Sequence, residues 1–315
     1  AGGWQRDEEL WQLTAPFDLR PQGQDIIRTW LFSTMLRSTL EDSRSPWRNA
    51  AISGFIVDPD RKKMSKSKGN VVTPADILET HGSDAVRYWA ASSRLGMDAA
   101  FDPQNPTQVK IGRRLAIKVL NAAKFVLSFP VPEGAQVTHA LDASMLTGLD
   151  AVIEEATKAF ENYDQAKALE VTEAFFWTFC DDYLELVKER AYNQNDVGQA
   201  SAALALRLAL STLLRLLAPI ISFATEEVWS WFEEGSVHTA AWPETLGIEG
   251  DTAVLSAASE ALIGIRRAKT EAKASQKTPV SRAAIAAPAA KLEALRAAAD
   301  DLRAVGRIAE LEFTE

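Results

Sequence analysis

At 315 residues, with 47% hydrophobic and 24% charged residues, the chain is long enough for two or three domains with sizeable cores, and its make-up is that of a soluble globular protein. The 34 basic and 43 acidic residues leave a formal charge of -9, which argues against indiscriminate coating of nucleic acid but leaves room for a local basic face. A single cysteine, Cys180, excludes an internal disulfide and a multi-cysteine zinc site; a reducing, cytoplasmic setting and no bound metal are expected.

In chain order, residues 1–21 read as irregular, punctuated by Gly2, Gly3, Pro16 and Pro21, and Ala1-Gly2-Gly3-Trp4 reads as the interior of a longer polypeptide. A helix is predicted from Gly23-Gln24-Asp25, with Asp25 as its N-cap and Ile26 and Trp30 one turn apart on one face. Ala50 to Val57 reads as a strand that passes through Gly54. It runs into a basic loop, in which four lysines between Lys62 and Lys68 are interleaved with Ser65 and Ser67 and closed by Gly69-Asn70. Such a strip suits a polyphosphate, because a lysine ammonium is a compact charge on a flexible stem and Gly69 lets the loop close.

Short helices follow over Pro74–Leu78 and Asp84–Ser92. Beyond Pro103 and Pro106 the pattern becomes long and rich in Ala and Leu, predicting helices near 107–129, 142–162, 165–192, 199–217 and 220–233, an antiparallel bundle. The longest apolar run, Leu204 to Leu217, falls short of a membrane span and carries Arg207 and Arg215. After Trp242-Pro243 a small α/β tail is expected: helix 253–273, strand 280–287, helix 289–303 and strand 307–313.

No Asp or Glu occurs from Pro103 to Pro132. In that window Lys110, Arg114, Lys118 and Asn121 share a helical face, with Arg113 and Lys124 flanking, opposite an apolar stripe of Ile111, Leu115, Val119, Ala122 and Val126. A basic face over a packed one is what a helix lying along a nucleic-acid phosphate ribbon needs. A second basic cluster, Arg266, Arg267, Lys269, Lys273 and Lys277, is opposed only by Glu271. The paired Asp181 and Asp182 point about 100° apart on a helix and read as packing and salt-bridge residues. Cys180, among Phe175, Phe176, Trp177 and Phe179, reads as a buried small hydrophobe.

Lys63-Met64-Ser65-Lys66-Ser67 resembles the second signature of the class I aminoacyl-tRNA synthetases. Gly82 to Trp89, Cys180 to Glu185, Leu217-Ala218-Pro219 and Thr225 to Trp229 are similar, in the same order, to the branch that handles aliphatic amino acids. Within that branch, Gly23-Gln24-Asp25-Ile26-Ile27-Arg28-Thr29-Trp30 is most similar to the valyl enzymes, since two isoleucines follow the Asp.

The resemblance implies the end of a Rossmann-like catalytic domain (1–72), a stem-contact region (73–105), an anticodon-binding bundle (106–245) and a small α/β domain (246–315). It implies that Lys63, Ser65, Lys66 and Ser67 meet the departing pyrophosphate. It also implies that Gly23, Asp25, Phe55 and Lys66 hold ATP or the adenylate, and that Asp25, Ile26 and Trp30 wall the valine pocket. Lys110, Arg113, Arg114, Lys118 and Asn121 are then the tRNA contacts. ATP with magnesium, valine and tRNA(Val) are the implied substrates of a monomer. The family's first ATP-binding signature, its editing domain and its C-terminal coiled-coil arm are absent from these residues, so the chain alone is not expected to aminoacylate. Two alternatives stay open: a ligase for isoleucine or another aliphatic amino acid, and a non-catalytic tRNA-binding module.

Overall fold

The computed structural model describes residues 2–65, 67, 69, 71–193 and 195–315. They form two compact units, one of residues 1–112 with 162–166 and one of residues 113–161 with 167–315.

The first unit opens with a helix, α1 (Glu8–Thr14), in a region expected to be irregular. Its N-cap Asp7 accepts a hydrogen bond from the Leu10 amide, and Glu8 and Glu9 sit in its first turn, where the helix dipole favours acids. Strand β1 (Phe17–Gly23) pairs in parallel with β2 (Trp47–Ser53), Phe17 opposite Trp47 and Gly23 opposite Ser53. The crossover between them starts as a tight 3-10 turn at Gln24–Ile26, widens to a π-turn at Ile27–Leu31 and continues as α2 (Phe32–Asp42). Gly23 is the cap residue of this crossover, so Asp25 stands inside the first turn rather than capping it. Its carboxylate is thereby turned to another partner, described below.

The expected strand through Gly54 is broken there: β2 stops at Ser53 and β3 is only Ile56–Val57, paired in parallel with β4 (Ala99–Ala100). A Cβ on Gly54 would lie 2.2 Å from the Met97 carbonyl oxygen, so the backbone of the 97–98 turn occupies the side-chain space and ends the strand. Helices α3 (Ala75–His81) and α4 (Ser83–Ala91) follow, and Ala85, Phe101 and Val109 form a core against which Met64, Val72, Ile77 and Trp89 pack.

The second unit is helical. Helix α5 (Thr107–Val126) enters it from Arg113 onward, and Leu115, Val119, Ala122 and Val126 are buried, as the apolar stripe requires. Helices α6 (Ala140–Glu161), α7 (Gln165–Thr178), α8 (Leu184–Tyr192), α9 (Gln199–Leu217) and α10 (Ser222–Trp229) complete the bundle. The stretch expected to be one helix over 165–192 is divided by a π-turn at Phe179–Tyr183. Helix α9 is long and apolar enough to cross a membrane, yet most of it is buried against its neighbours. Cys180 is buried, which pushes its thiol up to about 12 and leaves it a poor nucleophile at neutral pH.

The tail is α11 (Thr252–Glu271), β5 (Val280–Ala286), α12 (Ala289–Ala297), α13 (Ala299–Gly306) and β6 (Ile308–Thr314), with β5 and β6 parallel. The predicted second tail helix is thus two short ones, broken at Ala298. A strap after α10 is pinned to α6: Trp242 Nε1 donates to Thr157 Oγ1 (2.8 Å), and the Leu246 and Gly247 amides donate to the Asp150 carboxylate (2.7 and 3.0 Å).

Tail and bundle meet on one buried charge. Arg190 of α8 donates from Nη1 to Asp142 Oδ2 (2.7 Å) and from Nη2 to Asp142 Oδ1 (2.8 Å) on α6; it also donates from Nε to Asp301 Oδ1 (3.0 Å) and from Nη2 to Asp301 Oδ2 (3.1 Å) on α13. Tyr183 (2.8 Å) and Ser201 (2.6 Å) donate their hydroxyls to Asp142. Burial raises the Asp301 carboxyl above the usual range, opposed by the Arg190 hydrogen bonds. Arg190→Met should cost about 3–5 kcal/mol, because it strands two buried carboxylates. Adding Asp142→Leu and Asp301→Leu to Arg190→Met should restore most of that loss. Urea unfolding of the three proteins is the measurement, and a triple variant no more stable than Arg190→Met refutes the account.

Candidate functional site

The basic loop begins from a tight turn that the sequence specifies. The Asp58 amide donates to the Lys62 carbonyl (2.9 Å), the Lys62 amide to Asp58 Oδ1 (2.8 Å), and Arg61 takes a positive φ of 63°. Lys63 then forms an antiparallel bridge with Val57, and the Met64 amide donates to the Ile56 carbonyl (3.3 Å). This turn folds Lys63 back over the end of the crossover.

There its ammonium meets Asp25 and Phe55. Lys63 Nζ donates to Asp25 Oδ2 at 3.1 Å and stands 3.8 Å from the centroid of the Phe55 ring. The hydrogen bond from Lys63 holds the Asp25 carboxyl below the usual carboxylate range. Phe55 is fixed by its own backbone, its amide donating to Asp98 Oδ1 (2.7 Å) and its carbonyl accepting from Ala99 (2.8 Å). Gly23 leaves the space that the carboxylate needs, since a Cβ there would lie 2.8 Å from Asp25 Oδ1.

These residues open onto a cavity of about 440 Å³, with Gly23, Asp25, Gly54, Phe55, Ile56 and Lys63 at its polar end. Its apolar wall is Met64, Val71, Val72, Ile77, Trp89, Phe101 and Val109. Trp89 contributes to that wall and packs edge-on against Phe101 at 5.1 Å. Asp98 went unread, because its link to Phe55 spans 43 residues and leaves no local pattern. Such a cavity, apolar with a cation and a carboxylate at one end, suits a ligand with a flat apolar part and charged groups.

Of the other predicted residues, Ser65 and Ser67 lie within hydrogen-bond distance of each other (3.2 Å). Gly69 has a φ of +67°, with nothing within 4 Å of where a Cβ would stand; the backbone conformation alone favours glycine there. Lys66 lies outside the described residues. Ile26 is half-buried and Trp30 is 54% exposed; neither lines the cavity, and Trp30 instead carries the Arg20 guanidinium at 5.4 Å from its ring.

On α5, Lys110, Arg113, Arg114 and Asn121 are exposed and Lys118 is half-buried. Lys110 Nζ donates to Asn105 Oδ1 (3.0 Å). Within the second unit, the Arg114 guanidinium lies 4.6 Å and the Lys118 ammonium 5.7 Å from the Trp177 ring, and Lys118 also pairs with Asp181 Oδ1 at 2.8 Å. The basic face is therefore held in place by an indole and a carboxylate. In the second basic cluster Arg267, Lys273 and Lys277 are exposed, Arg266 is half-buried and Lys269 is not accessible. Lys269 is buried, its Nζ donating to the carbonyls of Gln276, Thr278 and Gly306 (3.0, 2.9 and 2.7 Å), and Arg267 pairs with Glu271 (2.8 Å). Lys269 is a structural fastening of the tail, with its pKa lowered by burial.

Two family profiles match this chain: "tRNA synthetases class I (I, L, M and V)" over residues 3–102 and "Anticodon-binding domain of tRNA ligase" over residues 142–285. The valine–tRNA ligase of Leifsonia xyli subsp. xyli is 68% identical over 100% of this chain, which spans 37% of that relative. Over its whole length the chain is thus similar to class I tRNA synthetases. The valine–tRNA ligase of Thermobifida fusca is 56% identical over 99% of the chain, which again spans only 36% of the relative's length. Two solved class I synthetases share the fold at low identity. The LeuRS-tRNA-LeuAMS ternary complex of Agrobacterium radiobacter K84 superposes with a TM-score of 0.60 (22% identity, 76% of this chain, 30% of that one). The methionyl-tRNA synthetase of Mycobacterium tuberculosis bound by methionyl-adenylate gives 0.58 (23% identity, 72% of this chain, 46% of that one).

The cavity depends on the close approach at Gly54. Gly54→Ala should push away the 97–98 turn at a cost of about 1–3 kcal/mol, with faster amide hydrogen exchange at Phe55 and Ala99. Unchanged exchange at those two amides would contradict this role for the glycine.

Proposed function

We propose that residues 1–315 are the C-terminal part of a valine–tRNA ligase, supplying one wall of its ATP site and its anticodon-binding bundle. The observation that carries the reading is the 68% identity to a valine–tRNA ligase over the whole chain, with Lys63 to Ser67 intact and Lys63 set at the mouth of a nucleotide-sized cavity. That identity favours valine over isoleucine, and the intact basic loop weighs against a purely non-catalytic module.

In this reading the carboxylate of valine attacks the α-phosphorus of ATP, which enters as its magnesium complex. The bond from the α-phosphorus to the β-bridging oxygen breaks, and pyrophosphate leaves with that electron pair. Lys63 and Lys66 meet the charge that grows on pyrophosphate, with Ser65 and Ser67 as hydrogen-bond donors, so they stabilise the transition state more than bound ATP. Gly23, Asp25 and Phe55 position the adenylate, and Ile26 and Trp30 shape the amino-acid pocket once the rest of the catalytic domain covers them. The terminal ribose of tRNA(Val) then takes the valyl group and AMP leaves. The face of α5 carrying Lys110, Arg113, Arg114, Lys118 and Asn121 follows tRNA phosphates, and residues 73–105 form the stem-contact region. The single buried thiol suits the cytoplasm.

In the full-length enzyme, Lys66→Ala should slow valine-dependent pyrophosphate exchange about 100-fold or more with little change in tRNA affinity, the mark of a contact made in the transition state. Faster exchange with isoleucine than with valine would sink the substrate assignment. Neutralising Arg114 and Lys118 to Gln should do the reverse. It should leave exchange intact, weaken tRNA binding and reduce the slope of log affinity against log salt by about one to two, as read in filter-binding titrations.

A further inference from the structure

We propose that Asp25 is the internal counter-ion a phosphoryl ligand must displace from Lys63, so that this carboxylate sets the affinity of the loop for pyrophosphate-like anions. The inference rests on the reading of the loop as the anion-binding side of an ATP site and deepens it.

The geometry carries the argument. Lys63 Nζ is 3.1 Å from Asp25 Oδ2 on one side and 3.8 Å from the Phe55 ring centroid on another. An ammonium directs its three donors tetrahedrally, and each acceptor sits at about 2.8 Å. Two acceptors on the same nitrogen therefore stand roughly 4–5 Å apart. At that distance a carboxylate and a phosphoryl group repel each other, most strongly where water is being expelled. Asp25 and an incoming phosphoryl oxygen thus compete for Lys63.

The backbone permits the exchange without rearrangement. Lys63 is anchored by its bridge to Val57, and Asp25 is held in the first turn after Gly23. Only side-chain torsions change when the pair opens. Both side chains are about half exposed, 46% for Lys63 and 50% for Asp25, so a solute reaches them directly. Phe55, held by Asp98 and Ala99, keeps a cation-binding ring under the ammonium after Asp25 lets go. The same competition gives linkage: any cation that occupies Asp25 strengthens anion binding at Lys63, and the anion strengthens the cation's binding by the same factor.

The test is calorimetric titration of inorganic pyrophosphate into the 315-residue chain at low ionic strength. Asp25→Asn, with Asp25→Ala as a second variant, should tighten binding about two- to five-fold, the size of one exposed ion pair. Asp60→Asn removes the same charge from a neighbour that pairs with Lys62 (3.4 Å) and should leave affinity unchanged. Lys63→Gln should weaken binding and abolish the effect of Asp25→Asn in the double variant. Unchanged or weaker binding by both Asp25 variants overturns the proposal, as does an equal gain from Asp60→Asn, which would make the effect one of net charge. If wild type and Lys63→Gln bind alike or not at all, the reading of the loop as an anion site falls, and the proposal with it.

Discussion

The second unit depends on the charge of Arg190 being buried and fully engaged. Its guanidinium binds two carboxylates and the Gly198 carbonyl (3.1 Å), joining α6, α8, the turn before α9 and α13. Moving a guanidinium and two carboxylates out of water costs several kcal/mol per ion, and the contacts regain this only when the donors and acceptors are matched. They are matched here, with Tyr183 and Ser201 taking remaining lone pairs of Asp142. What such a network supplies is direction. Apolar packing alone tolerates sliding of α13 over α8, whereas two carboxylates on one planar fork tolerate little. Lys269 acts in the same way at the other end of the tail, where three carbonyls fix one ammonium between α11, the turn before β5 and the end of α13.

The Lys63–Asp25 pair has the opposite design. It is half exposed, and water and salt screen it, so it adds little to stability. For that reason it is exchangeable: a ligand that brings its own charges meets only a small penalty in opening it. The molecule uses ion pairs at two extremes of burial, one fixed among helices and one open to solvent.

The helices were legible where periodicity was uninterrupted. Residues 199–217 form α9 as predicted, and in the apolar stripe of α5 Leu115, Val119, Ala122 and Val126 are buried while Ile111 is half-buried. Features that depend on partners distant in sequence were not legible. The break at Gly54 is caused by the Met97 carbonyl, and no local pattern announces it. Asp25 looked like a helix cap because caps are read from neighbours, whereas its partner lies 38 residues away. Lys269 looked like a surface lysine because charge patterns do not reveal which carbonyls converge on it. Helix α1 was missed because Gly2, Gly3 and Pro16 outweighed a short stretch with a proper acidic cap at Asp7. The candidate site was legible only through resemblance: Lys63, Asp25 and Phe55 are strangers in sequence, and the fold makes them neighbours.

The basic face of α5 carries a similar lesson about preorganisation. A free arginine or lysine loses about 2 kcal/mol of rotamer entropy when a ligand fixes it. Arg114 and Lys118 have already met much of that cost, one lying over the Trp177 indole and the other shared between that ring and Asp181. A guanidinium over an aromatic face is held by the ring's negative π surface while its N–H groups stay available as donors. Trp177 is itself held by its Nε1 donating to Glu173 (3.1 Å), so the platform is rigid before any ligand arrives. Lys118 differs in that it pairs with Asp181 at 2.8 Å. Arg114 therefore presents an ordered positive charge on this face, whereas the charge of Lys118 is offset by Asp181.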